Sequence, residues 1–143
     1  MSESESESDF DFYEIFAEVA LMSCPFCRDV SPYLESNLAY VKHDLYPVSK
    51  GHSLIITKRH IEDYFDATDQ EKSELWSLVD NAKFELQEKY SPDAFNIGIN
   101  CGKIAGQTVP HLHIHLIPRS KGDVSEPAGG VRGVIPEKQM YRG

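Results

Sequence analysis

The sequence predicts an α+β domain in which one long helix packs on one face of a mainly antiparallel sheet. Three patterns carry that expectation. Residues 69–90 hold a helical stripe behind a capping signature, residues 95–100 alternate apolar and polar, and residues 111–117 alternate again with histidine at 111, 113 and 115. The 143 residues, 41% hydrophobic and 26% charged, suffice for one globular domain with a core and are too few for two ordinary ones.

Residues 1–11 form a Ser/Glu/Asp segment expected to be disordered and solubilising. Phe12, Ile15, Phe16, Val19 and Ala20 have helical spacing, so a short helix or turn is expected over 12–22. Strands are expected over 38–43 and His52–Thr57, with Lys50-Gly51 at the bend between them. Thr68-Asp69-Gln70-Glu71 is a capping-box signature, because Glu71 stands three residues after a threonine cap. The helix it opens carries Leu75, Leu78, Val79, Ala82 and Leu86 on one stripe, and Ser91-Pro92 stops it. Phe95, Ile97 and Ile99 mark a third strand, and a loop over 101–110 leads into the histidine strand as an antiparallel hairpin. The folded domain is expected over 12–120, followed by an irregular tail over 121–143.

The net charge of −9 is unevenly placed. Residues 1–14 carry six of the 23 acids and no Lys or Arg, leaving 17 acids against 14 bases. That near-balance argues against a dedicated nucleic-acid surface, which needs clustered excess positive charge. Small phosphorylated ligands need only a local site and remain open. No apolar run reaches membrane-spanning length, and the N-terminus lacks the basic and apolar parts of a signal peptide. Three cysteines do not make a disulfide scaffold, so a reducing cytoplasm is expected.

Two clusters carry chemistry. In an extended strand, His111, His113 and His115 project to one face at steps of roughly 7 Å, while Leu112, Ile114 and Leu116 point to the core. Crowded imidazoles repel one another when charged, and the neutral ring is both a metal ligand and a nucleophile. The second cluster is Cys24-Pro25-Phe26-Cys27. Two thiolates at this spacing suit one tetrahedral ion completed by imidazoles, but redox pairs and simple buried thiols share the pattern. A redox pair is disfavoured by Pro32 soon after it and by the lack of a preceding strand. His52 and His60 read equally as solvated flanks of a strand, and His43 receives no role. Asn100 and Gln107 suit phosphate donation or the satisfaction of loop backbone.

His111-Leu112-His113-Ile114-His115-Leu116-Ile117 resembles the hallmark of the histidine triad (HIT) superfamily without exception. Further matches in family order are residues 37–41, Asp44, Gly51-His52, Lys58–Ile61, Asn96–Asn100 and Gly106-Gln107-Thr108. They span roughly residues 22–120, a highly specific joint match. The tail Gly129–Pro136 is similar to a bacterial-type branch close to the fragile-histidine-triad hydrolases.

The resemblance implies a HIT-like fold, with a five-stranded sheet, one long helix, a shorter N-terminal helix, and a sheet or helix continued across a homodimer. It implies a hydrolase or transferase that cleaves at the α-phosphate of (di)nucleoside polyphosphates through a covalent nucleotidyl-histidine. His113 would be the nucleophile. Gln107 and His115 would contact phosphate with Asn100 and Thr108 beside them, His52 would line the pocket, and Asp44 would bind the ribose hydroxyls. One structural zinc would be held by Cys24, Cys27, His60 and His111. The Gly/Arg tail would cover a second nucleotide, with Arg132 a candidate phosphate contact although a solvated arginine is the plainer reading. The alternatives are a nucleoside phosphoramidase, or a nucleotide-binding adaptor with incidental hydrolysis. The chain departs from the phosphoramidase branch in lacking a tryptophan-containing tail, and from the fragile-triad branch in having Asn100 in place of glutamine. His115 stands where the galactose-uridylyltransferase relatives have glutamine.

Overall fold

The computed structural model describes residues 23–28 and 30–141. The disordered tail expected over 1–11 and the helix expected over 12–22 lie outside the described residues. The chain divides into two compact units at Val30/Ser31. Within the first, α1 (Pro25–Arg28) is a single turn. Proline opens it, where its missing N–H costs nothing, and the Cys24 carbonyl accepts from the N–H groups of Cys27 (3.2 Å) and Arg28 (3.0 Å).

The second unit is a five-stranded, wholly antiparallel sheet with one long helix. The strands are β1 (Leu34–Glu35), β2 (Ala39–His43), β3 (Ser53–Thr57), β4 (Ala94–Gly98) and β5 (His113–Arg119), in the order β1-β2-β3-β5-β4. Helix α2 (Asp69–Tyr90) starts at the expected cap. Glu71 N–H donates to Thr68 Oγ1 (3.0 Å) and Thr68 N–H to Glu71 Oε1 (2.9 Å), so both halves of the capping box form. Glu71 also binds Arg59 at 2.8 Å, which anchors the helix start to the segment after β3. The helix ends where Ser91 turns left-handed (φ 48°) ahead of Pro92.

Period 3.6 on the helix and period 2 on the strands meet in one core. Leu75, Leu78, Val79, Ala82 and Leu86 pack against Val41, Ile55, Ile114 and Leu116. Leu112, Ile114 and Leu116 are all essentially inaccessible, as the alternation predicts. The expected strands stand within about a residue or two of their observed ends. The exception is β1, a two-residue strand too short to leave a periodic signal.

Gly51, at the bend before β3, has φ +85°, and a Cβ there would lie 2.9 Å from Leu86 and Tyr90. Only glycine satisfies both conditions. In the tail expected to be irregular, two 3-10 turns form over Gly130–Val134 and Pro136–Lys138. The Arg132 guanidinium donates to the Lys138 carbonyl at 2.9 Å and lies over the Tyr141 ring, so it is engaged within its own segment.

Candidate active site

The β2–β3 turn and the start of β5 bring four of the expected residues together. Asp44 directly follows β2 and His52 directly precedes β3; Asp44 N–H donates to the His52 carbonyl at 2.9 Å and closes the turn. Leu54 pairs with His115 and Ile56 with His113 across β3 and β5. Ser49 Oγ donates to the Pro118 carbonyl at 2.7 Å, tying the turn to β5.

The ring contacts assign the protons. Val48 N–H donates to His52 Nδ1 at 3.1 Å, so the His52 proton sits on Nε2. His52 Nε2–H donates to His115 Nδ1 at 2.9 Å, and Asp44 Oδ2 lies 3.4 Å from the same nitrogen as an electrostatic neighbour. His115 Nδ1 therefore accepts, and its proton stands on Nε2. His113 has the opposite form: Nδ1–H donates to the His111 carbonyl at 2.7 Å, which leaves the lone pair on Nε2. The His113 and His115 rings stand 5.1 Å apart in an edge-to-face arrangement. A lone pair and a donor thus occupy neighbouring positions on one strand.

Burial holds these rings neutral. It lowers the pKa of His115 to about 4, helped by repulsion from His113 and His52 and opposed by Asp44. His52 and His113 are also lowered by burial, against an opposing pull from Asp44.

His111 behaves differently from the other two. Strand β5 begins at His113, after Pro110 and a bend, and Leu112 N–H donates to the Ile61 carbonyl (2.6 Å). The expectation of three imidazoles on one strand face holds only for His113 and His115. His111 Nε2–H donates to the Thr57 carbonyl at 2.7 Å, so the lone pair is on Nδ1, which faces His60 Nδ1 at 3.1 Å. Burial lowers the His111 pKa to about 4. Two ring nitrogens facing this closely, one of them fixed as an acceptor, form a bidentate imidazole pair suited to a metal.

In the first unit, the Cys24 and Cys27 sulfurs lie within 4.8 Å of each other. Burial and the neighbouring Cys24 push the Cys27 thiol up to about 11, a penalty on the charged form that a bound cation reverses.

The 99–112 loop carries the three further residues expected at the phosphates. Gln107 Oε1 accepts from Gly102 N–H (2.9 Å), and its Nε2 donates to the carbonyls of Glu62 (2.9 Å) and Val109 (3.1 Å). Its amide braces the loop, the plainer of the two readings open to it. Asn100 packs beside Gly106, and Thr108 is exposed. His43 stacks on Tyr33 at 4.5 Å, apart from these residues. Sequence reasoning missed the Val48 amide and the Thr57 carbonyl, which fix two of the tautomers. Neither is a side-chain group, so residue identity carries no signal for them. A cleft of about 360 Å³ lined by Phe95, Asn96, Arg119 and Val124 lies at the opposite end of the β4–β5 hairpin.

An antiparallel sheet backed by one helix thus presents, at the start of a strand, two neighbouring histidines of opposite tautomer. The HIT domain family model matches residues 31–122, and the chain belongs to that family. It is 42% identical over 83 residues to an asymmetrical bis(5'-nucleosyl)-tetraphosphatase of Schizosaccharomyces pombe, a match covering 58% of this chain and 46% of that one. The matched region is thus about half of that relative's length. A HIT family protein from Bacillus anthracis superposes with TM-score 0.67 at 34% identity, covering 71% of this chain and 76% of that one. A zinc-bound histidine triad family protein from Mycobacterium smegmatis does so with TM-score 0.67 at 31% identity, covering 74% and 81%.

Proposed function

We propose that this chain is a nucleotide hydrolase acting at the α-phosphate of dinucleoside polyphosphates, with His113 Nε2 as the nucleophile. The observation that carries the reading is the tautomer pair. The Nδ1–H bond to the His111 carbonyl leaves the His113 lone pair on Nε2, beside a ring that presents a proton. In the first step the Nε2–phosphorus bond forms as the bond to the departing phosphate oxygen breaks, and that oxygen leaves as the polyphosphate product. In the second, water attacks the same phosphorus, the nitrogen–phosphorus bond breaks, and the water's proton is released as the monophosphate forms. His115 Nε2–H is aimed at the charge that accumulates on the phosphate oxygens. His52 and Asp44 hold that proton in place, and Asp44 retains 17% side-chain exposure for the ribose hydroxyls. Asn100, Gln107 and Thr108 flank the phosphates, and Gln107 also holds their loop.

One zinc bound by Cys24, Cys27, His60 and His111 is the structural part of this reading. The donor chemistry of the two pairs supports it, as does the zinc-bound M. smegmatis relative. With four protein ligands the ion is a cross-link, and it leaves His113 to the phosphate. The thiols require a reducing compartment, consistent with cytoplasm. No helix among the described residues is long and apolar enough to cross a membrane. Homodimerisation is part of the proposal: edge strand β4, with Ile97 43% exposed, suits pairing with a second copy.

The test offers diadenosine tri- and tetraphosphate, a nucleoside phosphoramidate and an aminoacyl-adenylate analogue to wild type and His113→Ala. Release of AMP from the polyphosphates by wild type, lost in the variant, is expected. Undiminished release by His113→Ala removes the reading, and a preference for the phosphoramidate moves it to P–N cleavage.

A further inference from the structure

Asp44, His52 and His115 bring a carboxylate oxygen and two ring nitrogens within 4.8 Å of one another. Two imidazoles and a carboxylate at that spacing are a common divalent-metal set, and Asp44 and His115 line the face to which the phosphate reading brings a polyanion. A cation chelated there would take the third triad histidine out of action. The hydrogen bonds decide whether it can bind. A metal requires the lone pair of His52 Nε2, hence a proton on Nδ1. The Val48 N–H already points at Nδ1 from 3.1 Å, and two hydrogens cannot share that line.

We propose that the main-chain N–H of Val48 is a tautomer lock. It makes His52 a permanent donor from Nε2, thereby fixes the His115 proton on the phosphate-facing Nε2, and closes the Asp44/His52/His115 cluster to divalent metal. The same logic runs in reverse at His111. There the Thr57 carbonyl captures the proton on Nε2 and releases the Nδ1 lone pair toward His60. Two imidazole clusters on one β3–β5 frame are sorted into a ligand pair and a donor relay by two backbone groups of opposite polarity. Val48 is a positioning residue, since its N–H reaches the substrate only through His52 and His115.

The lock is secured on both sides. Asp44 N–H donates to the His52 carbonyl, His52 N–H donates to the Ser49 carbonyl (3.1 Å), and Ser49 Oγ is tied to β5, so the turn holds its amide in register. Among the described residues no protein group takes the His115 Nε2–H, which leaves that donor for the ligand. The role in catalysis rests on the hydrolase reading; the tautomers and the metal exclusion do not.

The experiment uses ¹⁵N-histidine-labelled protein, purified with its metal, and reads each ring nitrogen by NMR at neutral pH. In wild type, His52 and His115 are both expected to be protonated at Nε2. Zinc added beyond the structural equivalent leaves their signals unmoved. Val48→Ala, which keeps the N–H, retains both tautomers. Val48→Pro, which removes it, lets His52 shift its proton to Nδ1 and makes added zinc perturb both rings. On a dinucleoside polyphosphate, Val48→Pro is expected to lower kcat about 100- to 1,000-fold, the scale of losing one aligned donor, with KM nearly constant.

His52 or His115 protonated at Nδ1 in wild type overturns the proposal, as does zinc bound by those rings in wild type. If Val48→Pro does not fold, the wild-type spectra and zinc titration decide alone. A wild type with the expected tautomers but no hydrolysis refutes the function and leaves the lock standing. Hydrolysis with His115 protonated at Nδ1 refutes the lock and leaves the function.

Discussion

Acidification destabilises this fold through His115, by an amount that follows from its surroundings. The ring faces His52, His113 and Asp44, and its pKa falls from 6.5 to about 4, chiefly through burial. Below pH 6.5 the unfolded chain takes up a proton that the folded ring refuses until about pH 4. Between those values the unfolded state binds more protons, so stability is complete above pH 6.5 and declines as pH falls. Each pKa unit is worth about 1.4 kcal/mol, so the 2.5-unit gap corresponds to a loss of roughly 3 kcal/mol by pH 4. The assay is urea unfolding of wild type and His115→Gln at pH 7, 6 and 5. Titrations common to both proteins cancel in the comparison, including those at the proposed metal ligands. The wild-type curve should fall more steeply, by about 1.4 kcal/mol per pH unit in the lower part of the window. Parallel pH profiles would show that His115 is not held neutral by the fold, and the donor role given to it would lose its basis.

Other outcomes are expected together. Cys24→Ala and His60→Ala each lower zinc content, read by elemental analysis, and thermal stability in the same step, because the metal's binding free energy is part of the folding free energy. Stoichiometric zinc in both variants would show the ligand set to be wrong. Gly51→Ala forces a side chain into φ +85° and against Leu86 and Tyr90. It should cost about 2 kcal/mol or more in a chemical denaturation curve, and a loss under 0.5 kcal/mol would mean that the bend relaxes freely.

Much of this architecture is written locally. Helix α2 could be drawn from Thr68 to Ser91 because both capping-box bonds and the Pro92 stop depend on side-chain identity. Strand β5 was legible because Leu112, Ile114 and Leu116 must share a buried face. The joint positions of Asp44, His52 and the triad, read as a family pattern, anticipate that Asp44, His52, His113 and His115 come together. Three features were not legible. Two-residue β1 has no period to detect. His111 leaves the strand face because Leu112 pairs with Ile61, a contact between distant segments. The tautomers depend on the Val48 amide and the Thr57 carbonyl, and every residue except proline carries such an amide. Gln107 illustrates the converse: its residue type suited both phosphate and loop backbone, and the loop's own unsatisfied groups engaged it.

The account turns on which atom first bonds to phosphorus. Wild-type protein mixed with a diadenosine polyphosphate, quenched in alkali within the first turnover to preserve a phosphoramidate and digested, would be mapped by tandem mass spectrometry. An adenylyl group on His113 is the predicted result. Turnover with no adduct on any histidine, or an adduct on His52 or His115 instead, would contradict it.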